Sequence, residues 1–112
     1  MLIRNYRDVA AEDVEEEDAE SVKIRQVISK GDGTPHFVMR VFELRLNGHT
    51  PRHSHEWEHE VFILSGEGSV LDSNGQEHKI RKGDVVFIPS NEMHQFKNTG
   101  RQLFEFICLI PI

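Results

Sequence analysis

The sequence predicts an all-β domain, a small sandwich or barrel, and three observations carry that prediction. Beyond residue 20 the chain divides into short runs rich in β-branched and aromatic residues, with turn signals about every eight to twelve residues. No stretch after residue 20 sustains the apolar period of an amphipathic helix. Asn74-Gly75 stands between two such runs, and Asn-Gly is the strongest local hairpin signal because both residues accept a positive φ.

At 112 residues the chain is long enough for one domain with a single core. Its one cysteine excludes an internal disulfide. A net charge of −6 and the lack of any Lys/Arg cluster argue against nucleic acid, whose binding rests on neutralising phosphates. No apolar run reaches the length of a membrane span, and Met1 to Arg7 lacks the apolar block of a signal peptide. The expectation is a cytoplasmic protein with no membrane partner.

Residues 1–20 read as an N-terminal arm followed by an acidic segment, and residues 21–112 as the barrel domain. Seven of the 19 acidic residues lie between Glu12 and Glu20, which leaves the rest nearly neutral. Like charges at i, i+4 repel, so this segment is expected as a solvated loop or frayed turn. Ser21 to Ser29 alternates as a strand, and Lys30 to Pro35 is a loop by its turn residues. His36 to Leu46 is a long strand whose more apolar parity carries Val38, Arg40, Phe42, Leu44 and Leu46. Arg40 therefore points inward and needs a partner: a buried ion pair, solvent near the strand end, or the anion of a substrate.

Ser69 to Asp72 and Glu77 to Ile80 are the arms of the Asn74-Gly75 hairpin. Val85 to Ile88 is a strand stopped by Pro89, which cannot donate to a ladder. Gln102 to Ile110 closes the chain, with Phe104, Phe106, Cys108 and Ile110 on one face. If that face looks into the barrel, Phe106 and Cys108 line a cavity; otherwise they are ordinary core residues. The other face, Leu103, Ile107 and Leu109, is also apolar, which suggests a second subunit and hence a homodimer.

The chemistry concentrates in Gly48 to Gly66. His53, His55 and His59 fall at i, i+2 and i+6, and neutral imidazole suits most divalent first-row metals. On an extended segment His53 and His55 project together. His59 opens the apolar run Val61-Phe62-Ile63-Leu64. A second stretch, Gly83 to Asn98, reads strand, turn, strand and carries His94 as a fourth donor. Trp57 is read as a packing anchor for this loop.

These two stretches resemble the motifs of the cupin superfamily, from about Phe37 to Pro111. The first looks like Gly48, His53, His55 and Gly66; the second like Gly83, Pro89, Asn91, His94 and Asn98. The resemblance narrows the fold to a double-stranded β-helix, the jelly-roll barrel. Three departures matter. The Gly48 to His53 gap is one residue short, and Asn91 stands where glycine is usual, which a turn tolerates because Asn accepts a left-handed backbone. The usual glutamate ligand is either Glu60 or is replaced by His59, and His59 leaves the full six residues before Gly66. In that register the chain is similar to small manganese cupins with an all-histidine site. The implied ligands are His53, His55, His59 and His94, with a small-molecule substrate in the barrel. His36, His49 and His78 match no motif position and are expected to face solvent.

Imidazoles alone do not choose among Mn, Fe, Co, Ni, Cu and Zn; manganese is what the resemblance implies. Four neutral ligands leave the ion dicationic with positions open for a chelating substrate or reduced oxygen. The expected activity is a metal-dependent, dioxygenase-like or peroxide-using oxidoreductase. The alternatives are a non-redox isomerase or cyclase using the ion as a Lewis acid, and a non-catalytic binding module. Glu58 or Glu60 is expected to orient a ligand imidazole, Phe106, Cys108 and Arg40 to line the substrate pocket, and no general base is evident.

Overall fold

The longest alternating run becomes the longest strand. The computed structural model describes all 112 residues. Its strands are β1 (Glu12–Asp13), β2 (Glu20–Ile28), β3 (Phe37–His49), β4 (His59–Ser65), β5 (Glu67–Leu71), β6 (Glu77–Arg81), β7 (Val85–Ile88), β8 (Gln95–Lys97) and β9 (Phe104–Pro111). Two short 3-10 turns, Tyr6–Asp8 and Lys30–Asp32, are the only helical elements. No helix is long and apolar enough to cross a membrane.

The strands form one curled sheet in the order β6-β5-β8-β3-β9-β4-β7, with β3 also paired to β2 and β2 to β1. Every pairing is antiparallel. β3 is the spine: Leu44 faces Phe104, Phe42 faces Phe106 and Arg40 faces Cys108 on β9. Strand alternation then decides what is inside. On β4, His59, Val61 and Ile63 are buried while Glu60 and Phe62 are exposed. On β9, Phe104, Phe106 and Cys108 are buried. Leu44, Ile63 and Phe104 are fully inaccessible, and each such side chain contributes roughly 2–3 kcal/mol by leaving water.

Turns close where the backbone demands it. Gly66 has φ +82°, and a Cβ there would lie 2.4 Å from the Leu103 carbonyl oxygen, so only glycine fits. The hairpin between β5 and β6 forms, but it is built around Asp72. The Asp72 carboxylate accepts from the Asn74 and Gln76 amides, and only Gly75, not Asn74, has a positive φ.

The acidic segment departs from the solvated loop expected of it. Glu12 and Asp13 extend the sheet as β1 against Ile24 and Lys23. Val14 packs against the core, and the Arg52 amide donates to the Asp18 carboxylate. One apolar residue and two strand pairings outweigh the mutual repulsion of exposed, screened carboxylates. On the outside, Phe62, Val85 and Phe87 are exposed beside the half-buried Ile107 and Leu109, which leaves one outer sheet face apolar.

Candidate metal centre

The two histidine stretches are brought together by backbone pairing. His53 and His94 form an isolated antiparallel bridge, the His53 amide donating to the His94 carbonyl at 3.1 Å and the reverse bond at 2.9 Å. The turn after β7 clamps the loop before β4: the Asn91 amide donates to the His55 carbonyl at 2.7 Å, and the Ser90 hydroxyl donates to the Glu56 carbonyl. Asn91 does so at φ +67°, the left-handed backbone expected of an asparagine in place of glycine.

All four imidazoles consequently line one cavity of about 490 Å³. Ring centroids are 4.2 Å apart for His53–His55, 5.0 Å for His53–His94, 5.3 Å for His55–His59 and 4.9 Å for His59–His94. The rings surround a common space, although no three of them are drawn together into a finished ligand set. The donor chemistry fits a divalent transition metal. His59 Nδ1 lies 3.3 Å from Cys108 Sγ, and its Nε2 is buried without any partner. In the tautomer that donates Nδ1–H to sulfur, Nε2 carries a bare lone pair in a buried site, a costly arrangement without an electron-pair acceptor. His94 Nδ1 is engaged likewise by the Glu92 carbonyl at 2.9 Å. Outward bonds of this kind fix the tautomer of metal-ligating imidazoles.

Burial favours the neutral form of three of the rings. Burial, helped by His53 and His94, lowers His55 from 6.5 to about 4. Burial, helped by His94 and Arg40, lowers His59 to about 3. His94 is also lowered, chiefly by burial. Neutral imidazole is the form a metal requires.

The cavity wall combines aromatics with one cation. Phe42 stacks on Phe106 at 5.3 Å and Phe106 on Phe96 at 4.5 Å. Trp57, 40% exposed, stacks on His55 at 4.4 Å with the planes 5° apart, so it packs the loop and lines the cavity at once. Phe106, Cys108 and Arg40 all line the same space. Burial raises the Cys108 thiol above its ordinary range, opposed by Arg40.

Glu58 and Glu60 are placed elsewhere, which corrects the orienting role assigned to them. Both are exposed, neither lines the cavity, and neither hydrogen-bonds an imidazole. Alternation on β4 puts His59 inside and therefore Glu60 outside. The groups that meet the imidazoles are Cys108, the Glu92 carbonyl and Glu16, whose Oε2 lies 3.6 Å from His53 Nδ1. Glu15 and Glu16 stay exposed, as expected of an acidic run, and also line the cavity, which the run's composition does not show. Val14, the apolar residue inside the acidic run, was the available signal. His78 faces solvent paired with Asp72, whereas His49 is half-buried, 3.2 Å from the Gln95 amide nitrogen.

A curled antiparallel barrel whose mouth is ringed by imidazoles defines the class: a small jelly-roll domain with a histidine-lined pocket. Residues 40–110 match the Cupin domain family, and the chain belongs to it. It is 30% identical over 86 residues to 1-methylthio-D-xylulose 5-phosphate methylsulfurylase of Rhodospirillum rubrum, an alignment covering 77% of this chain and 54% of that protein. The chain thus spans about half the length of the curated relatives it matches. Among solved structures it is similar to the polyketide cyclase RemF of Streptomyces resistomycificus, with 36% identity, a TM-score of 0.93, and 99% of this chain and 79% of that one covered. It is also similar to a predicted oxalate decarboxylase of Thermotoga maritima, with 27% identity, a TM-score of 0.86 and 99% of each chain covered.

Proposed function

We propose that this cupin is a metal-dependent enzyme in which His53, His55, His59 and His94 hold one divalent ion, manganese by resemblance, and that it catalyses a redox-neutral cyclisation or isomerisation of a small organic molecule. The carrying observation is the buried, partnerless Nε2 of His59 among three further imidazoles that line the same cavity. Similarity to a polyketide cyclase across nearly the whole chain ranks the Lewis-acid chemistry ahead of the oxidoreductase expected from the donor set.

When bound, the ion supplies Lewis acidity to a substrate carbonyl or hydroxyl oxygen. The protein supplies the rest. The Cys108 thiol and the Glu92 carbonyl orient His59 and His94. Phe42, Phe96 and Phe106, stacked on one another, give the cavity an apolar wall that excludes water. Glu16, at the cavity edge beside His53, is the carboxylate placed to accept a proton from substrate, the general base the sequence did not reveal.

A second reading, oxidation by dioxygen or peroxide, draws on the same neutral donors and dry aromatic wall. One experiment separates the two: measure metal per chain by mass spectrometry, then incubate the loaded protein with poly-β-ketone substrates and follow both oxygen consumption and product mass. Cyclisation conserves substrate mass or loses water, without oxygen uptake. Oxygen consumption that tracks turnover would overturn the redox-neutral reading. Failure to take up any metal after reconstitution would sink both.

The apolar outer face of Phe62, Val85 and Phe87 fits the homodimer expected from β9. Light scattering of wild type against Phe62→Glu/Phe87→Glu tests this, a monomeric wild type being the contrary result.

A further inference from the structure

Arg40 is the cation that the pocket leaves without an acid. It sits on β3 facing Cys108 on β9, and its one side-chain hydrogen bond runs from Nη2 to Cys108 Sγ at 3.1 Å. Its Nε is buried and has no partner. No carboxylate lies within ion-pairing distance, whereas Arg4 has Asp32 at 3.1 Å and Arg25 has Glu43 at 3.8 Å. A half-buried guanidinium presents five N–H donors, and a neutral sulfur is a weak acceptor for one of them. Leaving such a charge unpaired is costly unless a ligand completes it.

The surroundings describe that ligand. Cys108 joins Arg40 to His59, since its Sγ lies 3.1 Å from the one and 3.3 Å from the other, so the guanidinium flanks the imidazole ring. The acids of the cavity, Glu15 and Glu16, are not its partners, and Glu16 approaches His53 instead. The pocket is thus cationic beside His59 and acidic beside His53. Arg40 also lies over the Phe42 ring at 5.1 Å, and Phe42, Phe106 and Phe96 continue as stacked rings. A stack of aromatic rings lining the cavity therefore ends at a planar fork of donors, a setting suited to an anionic oxygen on a conjugated skeleton.

We propose that Arg40 is the anion receptor of this pocket and that the ligand is a small conjugated acid, its carboxylate or enolate oxygen bound by Arg40 beside His59 and its rings or conjugated chain against the aromatic lining of Phe42, Phe96 and Phe106. This rests on the substrate-binding reading above and specifies its substrate class.

The test uses 2-naphthoate and its neutral isostere 2-naphthamide as probes, titrated by calorimetry into metal-loaded wild type and Arg40→Gln, with metal content and circular dichroism measured on the same samples. Wild type is expected to bind the acid at least about tenfold more tightly than the amide, as a charge-assisted bidentate contact allows. Arg40→Gln should abolish that preference while leaving metal content unchanged. Arg40→Lys, which keeps the charge and loses the fork, should fall between. Acid and amide binding equally to wild type, or no acid binding at millimolar concentration, overturns the proposal without any variant. A preference that survives in Arg40→Gln also overturns it, because the metal would then account for it. Loss of metal binding with the Arg40-dependent preference intact would sink the metal reading and leave this one standing.

Discussion

His59 and His94 are held differently from His53 and His55, although all four face one cavity. The first pair is buried at 6% and 4% exposure, with Nδ1 of His59 against Cys108 on β9 and Nδ1 of His94 against the Glu92 carbonyl in the turn after β7. The second pair lies on the loop before β4, is half-buried, and is steadied by Trp57 stacked on His55 and by the exposed carboxylate of Glu16 near His53. A binding site that needs both a rigid frame and an entrance can be built this way. Burial fixes two imidazoles in advance, while the other two, on a loop whose backbone is pinned by the His53–His94 bridge and the Asn91 clamp, keep half-exposed rings that can adjust as an ion or substrate arrives.

The largest expected effect tests that asymmetry directly. His59→Leu or His94→Leu should lower metal affinity by more than about a hundredfold, read by competition with a chromogenic chelator, because a fixed donor is lost outright. His53→Ala or His55→Ala should cost less, since the loop can offer water in place of the ring. Equal losses for all four would erase the distinction between frame and loop. Metal-free His59→Leu should be no less stable than wild type, because the orphaned Nε2 disappears with the ring.

Turnover should separate the pairs differently. Glu16→Gln is expected to reduce turnover by about a hundredfold or more if Glu16 accepts the substrate proton, while metal content stays at the wild-type level. Unchanged turnover removes it from that role.

Acid provides a graded test. His55 and His59 titrate near 4 and 3 in the fold against 6.5 ordinarily. Between those values the unfolded chain binds protons that the folded chain refuses, so metal-free stability should fall as pH drops from about 6.5 toward 4 and below. Denaturant titrations in chelator should show this slope, and His59→Leu should flatten its lower part. A stability that is flat from pH 7 to 4.5 would contradict the neutral, desolvated state of these rings.

The smallest effect is expected at Trp57. Trp57→Ala removes one offset stack, worth about 0.5–1.5 kcal/mol beyond buried area, and should weaken metal affinity by about tenfold or less. A loss matching that of His59→Leu would mean that the loop is framed as firmly as the barrel.

Much of this was legible along the chain because it depends on short-range rules. The runs Val61 to Leu64 and Phe104 to Ile110 marked two strands, though both parities of each are apolar and the inner face was left open, and Pro89 marked where β7 ends. The hairpin was legible at Asn74-Gly75, while its Asp72 framework was not, since an Asx turn and an Asn-Gly turn share the same residue types. Glu58 and Glu60 were plausible partners by proximity in sequence, but parity on β4 turns Glu60 away from its own neighbour His59.

What the sequence determined by itself is therefore the strand content, the positions of the turns, and the set of histidines at metal-ligand spacing, consequences of turn chemistry and of the two-residue period of an extended chain. Only the tertiary structure decided which groups meet across the barrel. It joined Cys108 to His59 and Arg40 over separations of 49 and 68 residues, and folded Glu16 onto His53. It also left the guanidinium of Arg40 without an acid. Such contacts follow from strand order and register, which no local pattern encodes.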